Sequence, residues 1–179
     1  MTTVEVEQKN KKPFKLSVKQ KNWVLSFHIG FAGLWTGTIL CMFLITLRNK
    51  YTANSDILFA FHSMVNLLDD VVVIPAGIGS VLTATLLCWG TNYGFFKFYW
   101  VITKWILTTG LIILGSFWLF GWSNTAENIA LSEGLEAFKN PIYLFDVKGV
   151  LIGCLIQVLF LLVIIAISTL KPWGRRTVK

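Results

Sequence analysis

The chain has 179 residues, 55% hydrophobic and 14% charged, and its 16 basic against 9 acidic side chains give a formal net charge of +7. A soluble domain averages about 45–50% apolar and about 25% charged residues, so this composition excludes a disordered polar chain and argues against a soluble nucleic-acid binder despite the basic balance. With 8 Trp and 14 Phe besides, it reads as a small polytopic membrane protein whose charge is pushed to its ends.

Residues 1–22 carry Lys9, Lys11, Lys12, Lys15, Lys19 and Lys21 without an apolar period, and read as a basic tail resting on anionic lipid. The apolar run that follows is too long for a signal core and no small-residue cleavage site follows it, so it reads as a retained span. Four stretches reach the roughly 20 residues that a helical crossing needs: residues 23–47, 71–89, 99–122 and 149–170. The second belongs to a longer apolar run from Ile57 to Trp89. At about 1.5 Å per residue that run measures roughly 50 Å, too long for one crossing of a ~30 Å hydrocarbon layer. Asp69 and Asp70 divide it, and charged groups cost about 2.5–3.5 kcal/mol each at mid-bilayer, so residues 57–68 are expected as a surface helix.

The loop 123–148 is longer than packing requires. Ser123, Asn124 or Thr125 is expected to cap a short helix there, with Leu131, Leu135 and Phe138 on its buried side and Asn140–Pro141 ending it. This loop and the surface helix would form an extracytoplasmic cap, and residues 171–179 form a second basic tail. Cys41, Cys88 and Cys154 lie in separate apolar runs and read as packing residues. With four spans, both basic tails and Lys97 fall on one side, which the positive-inside rule makes cytoplasmic, while the acidic loops face out. The fold class expected is therefore all-α, a four-helix transmembrane bundle with a helical cap and both termini cytoplasmic.

Two constellations could carry chemistry. In span one, His28 and Trp35 are seven apart and share a helical face, and Gly33 and Gly37 form a small edge suited to close helix approach. Lys104 sits as deep in span three as His28 does in span one, five residues beyond an interfacial aromatic in each case. Together they offer a neutral imidazole nitrogen and a cationic donor, which suits an axial ligand and a propionate contact for a haem, or a hydrogen-bonding pair for a quinone carbonyl. The plainer alternative is an imidazole bonded to a neighbouring helix beside a lysine that snorkels to the headgroups. The second constellation is His62, Asn66, Asp69 and Asp70, one polar stripe at helical spacing. His62, Asp69 and Asp70 could hold a divalent ion or copper; the plainer alternative is the solvated face of the surface helix.

The pattern His28-x6-Trp35-x-Gly37, with Lys104 early in span three, resembles the small four-helix membrane proteins of the CopD-type copper-resistance family and the HemJ-type protoporphyrinogen oxidases. The stretches from Asp69 to Gly77 and from Trp89 to Lys97, Trp100–Trp105 and the closing Lys171-Pro-Trp-Gly-Arg look closer still to an uncharacterised bacterial branch of such proteins. Resemblance to the HemJ type implies that His28 and Lys104 serve a porphyrin site, with haem b as the cofactor. Resemblance to the CopD type implies copper handling, although among the methionines only Met42 and Met64 lie near the outer half.

The leading expectation is thus a haem- or porphyrin-associated redox or sensing protein of a bacterial inner membrane, with His28 as ligand, Lys104 as anion contact and Trp35 beside the ring. Its expected partners are the lipid bilayer and a haem or porphyrin, and no nucleic acid. The alternatives are a non-enzymatic subunit that docks another membrane protein, and extracytoplasmic handling of copper or a divalent metal by His62, Asp69 and Asp70.

Overall fold

The computed structural model describes residues 14–176, so most of the first basic tail and the last three residues lie outside it. The fold is all-helical. Helix α1 is Val18–Asn49, α2 Ser55–Leu68, α3 Ile74–Gly90, α4 Tyr99–Leu114, α5 Phe120–Glu133 and α6 Pro141–Leu170. A π-helical turn, Asp69–Val73, joins α2 to α3, and another, Gly115–Leu119, joins α4 to α5; Gly134–Lys139 is a 3₁₀ segment. These joins leave four helical rods, Val18–Asn49, Ser55–Gly90, Tyr99–Lys139 and Pro141–Leu170, each long and apolar enough to cross a membrane.

Helix starts follow from local chemistry. Ser17 and Gln20 form a reciprocal capping box at α1, Ser17 N donating to Gln20 Oε1 (2.9 Å) and Gln20 N to Ser17 Oγ (3.2 Å). Val18–Asn22, expected in the loose tail, is therefore the first turn of α1. Asn54 caps α2 and Asn140 caps α6, where Pro141 occupies the first helical position and needs no N–H partner. The last helix thus begins well before residue 149.

Two further expectations change. Residues 57–68 are not a separate surface helix, because α2 runs into α3 through the π-turn. Proline has no amide hydrogen and its ring crowds the carbonyl four residues back. The widened turn just before Pro75 accommodates this, Ile74 N donating to Asp69 O, five residues back. Likewise α5 continues α4 and has no cap of its own: Asn124 and Thr125 bond back to the carbonyls of Phe120 and Gly121, and Ser123 bonds to another helix. Its buried side consists of Ser123, Ala126 and Ala130, with Ala137 beyond it. Leu131 and Leu135 are exposed, and Phe138 packs at the edge of that core.

Helices α1 and α6 form the central pair. In one half of the bundle α3 flanks α1 and α4 flanks α6; in the other half α2 and α5 close over the pair as a cap. Along the bundle α3 and α4 barely touch, although their ends share an aromatic cluster at the end that carries both described termini. A middle core contains Trp35, Ile39, Val73, Ala76, Leu111, Leu119, Cys154 and Val158, and the cap has its own core around Leu58, Ala126, Ala130 and Tyr143. Outward faces are equally apolar, for example Leu25, Ile29, Ile78, Leu82, Ile106, Phe117, Leu155 and Leu159. Helices apolar on every side suit a lipid surround, where outward leucines carry no hydration cost.

At the termini end the chain ties itself to the α3–α4 loop. Leu16 N donates to Gly90 O (2.9 Å) and Arg176 N to Lys97 O (2.9 Å). Trp100 lies between two cations, Lys104 Nζ at 5.8 Å and Lys171 Nζ at 6.0 Å from its ring centroid.

Candidate functional site

His28 projects from α1 toward α3. Its Nδ1 lies 3.2 Å from Ser80 O and 3.0 Å from Thr83 Oγ1. The first is a carbonyl and accepts only. The second is a hydroxyl that has carbonyl acceptors for its own hydrogen at Gly79 O (2.6 Å) and Ser80 O (3.1 Å), which leaves its oxygen to accept. Both partners therefore require the proton on Nδ1. In neutral imidazole that leaves Nε2 with a free lone pair, the tautomer able to ligate a metal or accept a hydrogen bond. The α3 backbone turn Gly79–Thr83 thus fixes both the ring and its tautomer.

Lys104 is half-buried on α4. It reaches back toward Trp100 at the helix end, as the snorkelling alternative describes. Trp105 and Cys88 pack against the same small core as Trp100 and Val101 at this end. Trp35 is buried in the middle core with its ring 3.9 Å from where a Gly77 Cβ would stand. The structure thus seats His28 against α3, with Trp35 deeper on the same α1 face, and places Lys104 on α4 with its ammonium toward Trp100.

The opposite face of α1 is different. Gly30, Gly33 and Gly37 have nothing within 4 Å of a Cβ position, and they floor an open apolar groove of about 440 Å³. The small edge expected to bring helices together is not used inside the bundle. Close approach to α3 is made at Gly79 instead, where a Cβ would stand 2.8 Å from the Phe31 ring.

The second polar set is drawn into the cap. His62 is 3% exposed, and its Nε2 lies 2.9 Å from Tyr143 Oη on α6. Asn66 ties α2 to α5, accepting from Ser123 Oγ at 2.5 Å and donating to Glu127. Neither residue belongs to a solvated face. His62 and Asp69 are two turns apart, about 10 Å along the axis at 1.5 Å per residue. Among the described residues no three His, Cys, Asp or Glu side chains converge as a metal-holding group. The structure therefore does not assemble His62, Asp69 and Asp70 into one ligand set. Sequence spacing missed Ser80, Thr83 and Tyr143 because a hydroxyl or carbonyl on an apolar helix gives no periodic signal.

No protein-family model matches the chain, and no curated protein or solved structure does either.

Proposed function

We propose that the chain is a bacterial inner-membrane protein, both termini cytoplasmic, that takes a haem- or porphyrin-class ligand at His28 and Lys104 for a redox or sensing role. The observation that carries this reading is the hold on His28 Nδ1 by Ser80 and Thr83, which leaves Nε2 without a hydrogen-bond partner among the described residues. The donor set fits the group: a neutral imidazole for iron, an ammonium for a propionate, and aromatic side chains nearby. Haem supplies one-electron or gas-binding chemistry when bound. The chain's own part is to hold the imidazole tautomer through Ser80 and Thr83 and to supply the Lys104 ammonium from α4. Loose packing between α3 and α4 favours entry from the lipid on that side. The groove over Gly33 and Gly37 lies on the far side of α1 and plays no part in this site.

The orientation rests on charge. Among the described residues, the end carrying the termini has Lys15, Lys19, Lys21, Lys97, Lys171, Arg175 and Arg176 and no acidic side chain, whereas at the cap end Arg48, Lys50, Lys139 and Lys148 are outnumbered by Asp56, Asp69, Asp70, Glu127, Glu133, Glu136 and Asp146. An optical spectrum of protein purified from haem-replete cells tests the function: a Soret band is expected, weakened or lost in His28→Ala. A colourless wild-type protein refutes the reading.

A further inference from the structure

The loop between α1 and α2 forms a half-open pocket that the His28 site does not use. It measures about 360 Å³ and is lined by Arg48, Tyr51, Thr52, Asn54, Ile57 and Phe61. Its polar wall is made of donors. Arg48 presents five guanidinium N–H groups, and Tyr51 and Thr52 each bring a hydroxyl. Asn54 uses its Oδ1 to cap α2, accepting from Asp56 N (2.8 Å) and Ile57 N (3.1 Å), so its amide nitrogen is what remains. No carboxylate lines the pocket, and the one ion pair among the described residues, Lys139 with Glu136, lies elsewhere. Arg48 is therefore a cation with no counter-ion among the described residues.

The apolar wall of this pocket leads toward the groove on α1. On α2, Ile57, Phe61, Met64 and Leu68 stand at i, i+4, i+7 and i+11, one helical face, and Leu68 lines the groove together with Gly37 and Cys41. On α1, Gly37, Cys41, Leu44 and Arg48 repeat that spacing. Leu44 and Met64, between pocket and groove, are 53% and 46% exposed. The two cavities thus follow one open seam between α1 and α2. Depth fits as well. With Trp23 at one interface, Arg48 lies 25 residues on, about 37 Å, beyond the ~30 Å hydrocarbon layer and at headgroup level. Gly37 lies about 16 Å back from it, close to the bilayer midplane. A guanidinium among hydroxyl donors, above an apolar groove one leaflet long, matches a phosphate head on an acyl chain. A two-fold pairing of this face with a second copy would instead set Arg48 against its own like charge. We propose that the α1–α2 seam binds one phospholipid of the cap-end leaflet, its phosphate on Arg48 and one acyl chain over Cys41 and Gly37. This site stands apart from any ligand at His28, which faces α3 from the opposite side of α1.

The experiment is native mass spectrometry of the delipidated full-length protein after incubation with one of two probes. These are phosphatidylglycerol and a glycosyl diacylglycerol with the same chains and no phosphate. Wild type should retain one phosphatidylglycerol per chain and several-fold less of the glycolipid. Arg48→Gln, which removes the charge, and Cys41→Trp, which fills the groove, should each lower phosphatidylglycerol retention several-fold. Lys50→Gln, which removes a neighbouring cation outside the pocket, should leave it unchanged. Equal retention of the two lipids overturns the proposal, and so does an equal loss in Lys50→Gln. Displacement of the lipid by excess inorganic phosphate would assign the pocket to a free anion and overturn it too. A dimer in place of bound lipid, dispersed by Cys41→Trp, would give the groove to a second copy and likewise overturn it. Arg48 and Cys41 are both exposed, so neither substitution enters the core. The comparison of the two lipids on wild type decides the matter even where a variant folds poorly.

Discussion

Replacing Gly149 by alanine tests how closely α5 is seated on α6. A Cβ there would stand 2.7 Å from Trp122 Cε3 and 3.0 Å from two further atoms of the same indole. Ordinary carbon contacts begin near 3.5 Å, so the ring must retreat by something under an ångström. It has little freedom to do so, because Phe145 packs edge-on against it at 5.8 Å and it sits at the margin of the middle core. Overpacking of this kind costs about 1–3 kcal/mol. Alanine also favours the helix over glycine by about 1 kcal/mol, a gain that would mask part of the loss. Gly37→Ala supplies the correction, since Gly37 is also in a helix interior but has nothing within 4 Å of its Cβ position. The propensity gain cancels between the two variants, leaving a difference of about 1–3 kcal/mol that is strain alone. Thermal unfolding in one detergent, followed by helical circular dichroism, is the assay. Equal midpoints for the two variants would show that the indole does not lie over α6 as described.

Three more outcomes follow from the cap. Tyr143→Phe leaves His62 Nε2 buried without its partner and should cost about 1–3 kcal/mol, whereas Tyr143→Phe combined with His62→Leu should recover part of that loss; additive losses in a double-mutant cycle would rule out the bond. Asn140→Ala removes the side-chain acceptor for Ile142 N and Tyr143 N at the start of α6 and should lower stability by about 0.5–2 kcal/mol, with Asn140→Asp retaining most of it. Asn66→Leu cuts the links to Ser123 and Glu127 at once, so hydrogen exchange should rise in α5 before it rises in α6; uniform change across both helices would argue against a separately held cap.

The four long helices were legible because their signal is additive: a run of apolar residues suffices, and no single neighbour decides it. Side chain Asn140, with Pro141 behind it, marked a boundary correctly for the same local reason. The joins were not legible. Asp69 and Asp70 read as a break in the helix, yet a π-turn carries the chain through them, since the backbone can widen by one residue without losing its hydrogen bonds. In the candidate site, depth counting brought His28 and Lys104 to comparable levels, which helical rise alone can do. It could not show that the imidazole is held by Ser80 and Thr83. That depends on how α1 and α3 are rotated about their axes, a consequence of contacts such as Phe31 on Gly79. For the cap, His62 read as solvated because its partner Tyr143 lies 81 residues away, beyond any local pattern.

The second π-turn makes a sharper demand on the chain. Gly115–Leu119 joins α4 to α5 with Phe120 N donating to Gly115 O, one residue farther back than in an α-helix. A π-turn holds one residue more than regular winding needs, so removing one residue from it should restore an ordinary helix and leave both flanks in register. Deleting Ser116 should therefore keep Leu111 facing the middle core and keep Ser123 facing Asn66. Deleting Thr125, inside α5, has no spare residue to absorb it. Everything beyond would turn by about 100° relative to Ser123, at 3.6 residues per turn, carrying Ala126 and Ala130 out of the cap core. The expected result is a folded protein with a modest fall in midpoint for the Ser116 deletion, and loss of the cap for the Thr125 deletion, read by hydrogen exchange in α2 and α5. Equal damage from both deletions would mean that the π-turn is held by its own contacts, such as Gly115 against Gln157, and not by the register of the helices it joins.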